Sequence, residues 1–277
     1  MTPPDRELET GTSTVSATVT SGVGLITLTR SERRNALHAE MYEAVPAAIE
    51  DFAADDSVGC IVITGAGSAF CAGGDVRDGK ARRDSDEPLP SVAERTRILT
   101  HQARMARMLH EVPKVTMAAL PGGAVGAGFS LALSTDLRIA ARSAKLIPGW
   151  GDLGFSGDFG GAWFLSRLVG STRALGLLLD GSPIESARAL ELGLLNAVVD
   201  DDVLLGEALA WAERIAAGPR VAWGRLKQNI LDTRLSLEEY LPLESERMVL
   251  SGTTEEHREA VRRWMAAARA KREQGSS

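Results

Sequence analysis

The sequence has little with which to build a metal centre, a disulfide framework or a membrane span. Cys60 and Cys71 are its only cysteines in 277 residues. Two thiols beside one apolar run read as free core cysteines in a reducing compartment, so a cytoplasmic protein is expected. The 4 histidines, His38, His101, His110 and His257, are scattered without metal-ligand spacing, and no metal is expected. No apolar run is long enough to cross a bilayer. The polar, acidic stretch Met1–Ser13 lacks the form of a secretory signal and reads as a mobile tail. Positive charge is in deficit: 31 Lys and Arg against 37 Asp and Glu give a net charge of −6. That balance argues against a dedicated nucleic-acid binder. It leaves room for a polyanionic cofactor held by a local basic cluster.

Common nucleotide and nucleophile motifs are also missing. Gly65-Ala66-Gly67 starts like a dinucleotide fingerprint, but Phe70 stands at the third glycine. Gly126-Ala127-Gly128 fails in the same way at Leu131. Gly154-Phe155-Ser156-Gly157 is one residue short of a nucleophile elbow. There is no phosphate-loop lysine and no local Ser–His–Asp signature.

What the chain does have is two glycine-rich stretches. The first follows the β-branched run Ile61–Thr64 and ends Phe70-Cys71-Ala72-Gly73-Gly74-Asp75. The second, Pro121–Gly128, leads into an apolar helix. Small residues let a ligand approach the backbone, and a helix start offers unpaired N–H groups and a positive dipole end. Two such donors aimed at one oxygen make an oxyanion hole.

Along the chain, Thr14–Thr20 and Gly24–Thr29 alternate around Ser21-Gly22 and predict a hairpin. Asn35 can cap the helix that follows, whose apolar face is Leu37, Met41, Val45, Ile49 and Phe52, with Pro46 expected to kink or split it. Asp78–Ser91 is charged and aperiodic, a mobile exposed loop, and Val92–Glu111 is helical. Short strands are expected at Val115–Leu120, Asp136–Ala141 and Leu195–Val199. Between the last two, helices are expected over 162–168, 173–179 and 184–192, and beyond Val203 everything reads as helix. The organisation is α/β: a tail over 1–13, a core over 14–200 and a helical region over 201–277.

The segments ITGAGSAFCAGGDV and PGGAVGAGFSLALSTDLRIA resemble the signatures of the crotonase, or enoyl-CoA hydratase/isomerase, superfamily. VGLITLTRSERRNAL, LGFSGDFGGAWFLSRLVG and TRALGLLLDGSPIESARALELGLLNAVV extend the resemblance in order from about Val15 to the end. The resemblance implies a spiral of ββα units with trailing helices that assemble trimers or paired trimers. It implies an acyl-CoA substrate, with CoA arriving as part of the thioester and no permanently bound cofactor. Carried over, the enolate-stabilising amides are those of Gly74 and Ala127. CoA is then held by the Arg33–Leu37 loop (Arg33, Ala36, Leu37) and by backbone near Ala69 and Ala72. Lys227 is similar to a lysine that approaches CoA phosphate; as a bare sequence position it also reads as a solvated surface lysine.

The chain departs from the hydratase pattern where that pattern carries its two glutamates, which here are Ser130 and Trp150. Neither replaces a general base; Trp150 has the bulk to wall the acyl group. One acid remains, Asp158, which matches an aspartate of dienoyl-CoA and ring-modified phenylacetyl-CoA isomerases. A lone carboxylate suits a 1,3-proton shift, and the same residue could instead cap the helix that follows. Asp152 is a weaker candidate, and Asp75 reads as a loop-ordering residue. The expected function is an acyl-CoA isomerase with Asp158 as acid and base. The alternatives are a hydratase with atypical water positioning and a non-catalytic acyl-CoA binder.

Overall fold

The alternating stretch near the N-terminus closes as its pattern requires. The computed structural model describes residues 5–75 and 90–274. Strand β1 is Arg6–Leu8, β2 is Val15–Thr20 and β3 is Val23–Leu28, and the three pair antiparallel. Ser21 and Gly22 both take positive φ, the left-handed pair that matches a two-residue hairpin to the strand twist. The strand at 6–8 corrects the tail expected there. Arg6 ties it down through ion pairs to Asp51 and Asp55.

Helix α1, Met41–Ala54, runs unbroken through Pro46, which is buried with Val45, Ile49 and Phe52. The expected split does not occur. Asn35 does not cap it; the flanking residue is Glu40, with no side-chain capping bond. Strand β4, Cys60–Gly65, is buried at every position and leads to the short β5, Ala69–Cys71. Of the loop expected over Asp78–Ser91, residues 78–89 lie outside the described residues. Ser91 caps α2, Val92–Gln102, with a reciprocal bond to Glu94, and a break at Ala103 separates α2 from α3, Arg104–Glu111.

Two ββα passes follow. Strand β6 is Val115–Leu120, β7 Gly123–Val125 and α4 Ala127–Leu133. Strand β8 is Leu137–Ala141, β9 Lys145–Ile147 and α5 Gly161–Val169. Helix α6, Ser171–Asp180, leads to β10, Ile184–Glu185, α7, Ser186–Glu191, and β11, Ala197–Val199. The helix expected to start at 184 therefore gives its first two residues to a strand. The chain ends in α8, Leu204–Ala216, α9, Arg220–Leu231, α10, Leu237–Gly252, and α11, Glu255–Gln274.

Each pass places its first strand in a seven-stranded sheet, ordered β1-β2-β3-β4-β6-β8-β11, and its second in a four-stranded sheet, ordered β10-β9-β7-β5. From β3 to β11 the large sheet is parallel. Parallel strands covered on both faces need continuous apolar runs, which explains why β4 is uniformly buried. The small sheet carries both glycine stretches at adjacent positions, because β5 pairs with β7.

Candidate active site

The two glycine stretches meet backbone to backbone. Ala69 pairs with Gly123, and Cys71 with Ala124. A Cβ at Gly122 would lie 2.0 Å from the Ser68 carbonyl oxygen, and one at Gly128 would lie 2.3 Å from that of Cys71. Gly73, at φ 84°, would place a Cβ 2.7 Å from the Val125 oxygen and 3.5 Å from the Ala127 nitrogen. Only glycine permits this approach. Gly74 is exposed, and a Cβ there would meet nothing within 4 Å among the described residues. Its bridge to Leu37 is parallel, made by the Gly73 carbonyl (2.7 Å) and the Asp75 amide (3.3 Å). That pairing leaves the Gly74 N–H on the opposite side. Ala127 is the first residue of α4, where an N–H has no intrahelical acceptor.

The 30–37 loop is stitched to this segment. Arg34 and Asn35 both take positive φ. Asn35 is fully buried and its Nδ2 donates to the carbonyls of Ala66 (2.9 Å) and Ala69 (2.7 Å). The residue expected as a helix cap is thus the staple between loop and strand. The Ala72 amide donates to the Arg34 carbonyl at 2.9 Å. These bonds bring the loop that carries Arg33, Ala36 and Leu37 beside Ala69 and Ala72; Ala36, Leu37 and Ala69 are buried and Arg33 is exposed on a short 3-10 turn. Asp75 accepts an ion pair from Arg30 at 3.1 Å, and Arg30 also donates to the Ala36 carbonyl at 2.8 Å. Asp75 orders the loop, in agreement with its sequence reading.

Asp158 stands beside α4, the helix that the second glycine stretch opens. Its carboxylate accepts from Trp150 Nε1 at 3.1 Å. Ser130, fully buried, donates its hydroxyl to the Asp158 carbonyl at 2.9 Å. The three positions singled out from the sequence therefore form one connected group. Helix α5 has Gly160 as its flanking residue, with no side-chain capping bond. The helix-cap alternative for Asp158 is overturned. Burial pushes its carboxyl above the usual range, and the Trp150 hydrogen bond pulls in the opposite direction. Phe159, which follows, is a non-glycine residue at φ 51°, a conformation kept where the surroundings enforce it. Asp152 is exposed and faces the Gly181 turn, away from this group.

One residue sits differently from its sequence reading. Lys227 is neither a solvated lysine nor one free to reach a phosphate. Its side chain is 5% exposed, and Nζ pairs with Asp136 at 2.8 Å. It also donates to the carbonyls of Leu109 and Lys114. Cys71, beside the glycine contact, is the free core thiol expected, pushed up to about 12 by desolvation, so it is no nucleophile. Among the described residues no group of His, Cys, Asp and Glu could hold a metal ion, and no helix is long and apolar enough to cross a membrane.

A fold of alternating ββα passes with two glycine-rich stretches in close backbone contact defines a class, and comparison with known proteins identifies it. The enoyl-CoA hydratase/isomerase family model matches residues 18–272, and the chain belongs to that family of acyl-CoA enzymes. It is 36% identical over 249 residues to the 1,2-epoxyphenylacetyl-CoA isomerase of Escherichia coli K12, covering 90% of this chain and 94% of the relative. It is 31% identical over 221 residues to the 4-chlorobenzoyl coenzyme A dehalogenase-2 of an Arthrobacter species, covering 78% and 77%. Among solved structures, a Thermobifida fusca YX protein described as an enoyl-CoA hydratase, in complex with CoA, superposes with a TM-score of 0.78 at 32% identity. That match covers 86% of this chain and 92% of the other.

Proposed function

We propose that the protein moves a carbon–carbon double bond in an acyl-CoA thioester, with Asp158 carrying the proton. The observation that carries this reading is that the two hydratase glutamate positions hold Ser130 and Trp150, while the carboxylate bonded to Trp150 is Asp158. The thioester oxygen binds the amides of Gly74 and Ala127, where charge developing on an enolate meets fixed donors. Arg33, Ala36, Leu37, Ala69 and Ala72 line the approach of CoA, which enters on the substrate; no permanently bound cofactor takes part. Asp158 removes a proton from one carbon, and the C–H electron pair delocalises onto the thioester oxygen. The same carboxyl returns the proton at a more distant carbon. The name of the E. coli relative supports testing ring-derived thioesters first. We place the enzyme in the cytoplasm, where Cys60 and Cys71 stay reduced.

The test is a panel of CoA thioesters: 3-enoyl, dienoyl, ring-modified phenylacetyl, crotonyl and 4-chlorobenzoyl. Double-bond migration is expected with at least one of the first three. Asp158→Asn should lower that rate about 100- to 10,000-fold, the usual size of a general acid–base contribution. Because burial raises the Asp158 carboxyl and the reaction begins from the carboxylate, the rate should fall with decreasing pH already above the ordinary aspartate value of about 3.9. Hydration of crotonyl-CoA, chloride release from 4-chlorobenzoyl-CoA, or tight binding with no turnover of any thioester would each overturn the reading.

A further inference from the structure

Trp150 has more structure built around it than a wall for an acyl group requires. Gly161 makes room for its indole, since a Cβ there would lie 2.4 Å from Cη2, and the ring is flanked at contact distance by Gly126 and Gly157. Phe129 meets the ring edge-on, with centroids 5.8 Å apart at 81°. Packed this way, the ring turns its single polar atom to Asp158 Oδ1 at 3.1 Å. On the far side of Asp158, Ser130 holds the main-chain carbonyl at 2.9 Å.

From this geometry we infer that Trp150 is the positioning residue for Asp158. Its indole N–H holds Oδ1 and leaves Oδ2 as the oxygen that takes and returns the proton. The inference rests on the isomerase reading above. An indole N–H donates and never accepts. It can therefore bond Oδ1 whether the carboxyl is charged or neutral, and it disfavours a proton on the oxygen it occupies. The proton taken from carbon is directed to Oδ2, while the C–H electron pair passes to the delocalised thioester. Return of the proton at the second carbon restores the carboxylate with Oδ1 still held. One fixed oxygen and one working oxygen suit a shuttle that must reach two carbons without rotating away. Among the described residues, the ionisable group on β5 that feels the Asp158 charge is Cys71, neutral because burial pushes it up to about 12. Ser130, from α4, is uncharged.

The experiment compares wild type, Trp150→Phe and Asp158→Asn. Phenylalanine keeps the ring and removes the donor. Its kcat should fall about ten- to one-hundred-fold, the rate equivalent of one lost hydrogen bond to a charged group, with KM unchanged. The acid limb of its pH profile should move to higher pH, because the lost donor favoured the carboxylate. Thermal melting, and calorimetry with acetyl-CoA, check that the variant keeps its fold and its site. A Trp150→Phe enzyme that folds and binds acetyl-CoA with the wild-type kcat and pH profile overturns the inference. Loss of the fold in that variant leaves the decision to the wild-type protein. There, one of the 5 tryptophan indole N–H signals in a proton–nitrogen spectrum should titrate with pH and stay fixed in Asp158→Asn; no titrating indole overturns the inference. The two readings fail separately. Full activity in Asp158→Asn ends the isomerase reading, whereas an inactive Asp158→Asn beside an unchanged Trp150→Phe ends only this one.

Discussion

Lys227 shows what a single side chain does when its partner comes from elsewhere in the fold. It reaches from α9 into a buried position where Asp136 meets Nζ at 2.8 Å. Asp136 also accepts from the Thr116 amide (2.8 Å) and hydroxyl (3.0 Å), so the pair ties the C-terminal helices to the start of β6. Burial alone would drive Lys227 toward the neutral amine, and its pKa is lowered by desolvation against the pull of Asp136. Removing one partner of a buried pair leaves an uncompensated charge, typically at 3–5 kcal/mol. Here the two Thr116 bonds keep part of the Asp136 charge satisfied. Lys227→Met should therefore lower unfolding free energy by about 3 kcal/mol in urea, with acyl-CoA affinity unchanged. Weaker CoA binding without a change in stability would show that the lysine serves the ligand instead. At this scale Ser130 and Trp150 were legible as departures from a pattern, and Asp158 as the acid that remained. Lys227 and Asn35 were not, because their roles depend on carbonyls and a carboxylate that come near only after the sheets form.

Among the elements, the deciding contact is β5 against β7 and the start of α4. Local sequence marked the glycines but not these two three-residue strands, since Ala69–Cys71 and Gly123–Val125 are too short to show alternation. What the glycines do follows from the spacing they permit. Gly128 lets α4 begin directly over the Cys71 carbonyl, where a Cβ would sit at 2.3 Å. Gly128→Ala forces the helix start away from the first glycine stretch, and with it the Ala127 amide away from Gly74. Losing one properly aimed oxyanion donor costs about 100- to 1,000-fold in rate. We expect a kcat reduction of that order in Gly128→Ala, with a lower melting temperature, measured on whichever thioester the panel identifies. A variant that melts lower yet keeps full kcat would place the enolate oxygen elsewhere. The unbroken α1 belongs to the same scale. Pro46 lacks an N–H for the preceding turn, but its ring is buried among Val45, Ile49 and Phe52, so packing holds the helix that propensity would interrupt.

For the molecule as a whole, the sequence showed α/β segments giving way to helices, and the resemblance supplied the spiral that joins them. It did not show which helical faces stay uncovered in one chain. The last helix reads as charged and solvated, yet Trp264 on it is 71% exposed. Met248 on α10 is 73% exposed, and Leu179 on α6 77%. Leu226, Ile230, Leu237 and Val249 are exposed on α9 and α10 as well. Single apolar residues are ordinary on a surface, but so many on the consecutive helices α9, α10 and α11 are what a surface for contact between copies would need. The burial of about 0.8 kcal/mol per methylene supplies a strong drive to cover it. The trimer implied by the family resemblance would cover it with other copies of the same chain. We therefore expect light scattering after gel filtration to give three times the 29.4 kDa chain mass, or twice that for paired trimers. Met248→Glu with Val249→Glu should shift the population to smaller species by placing charge in the contact. A wild-type mass equal to one chain would sink the assembly proposal and leave these helices exposed for some other partner.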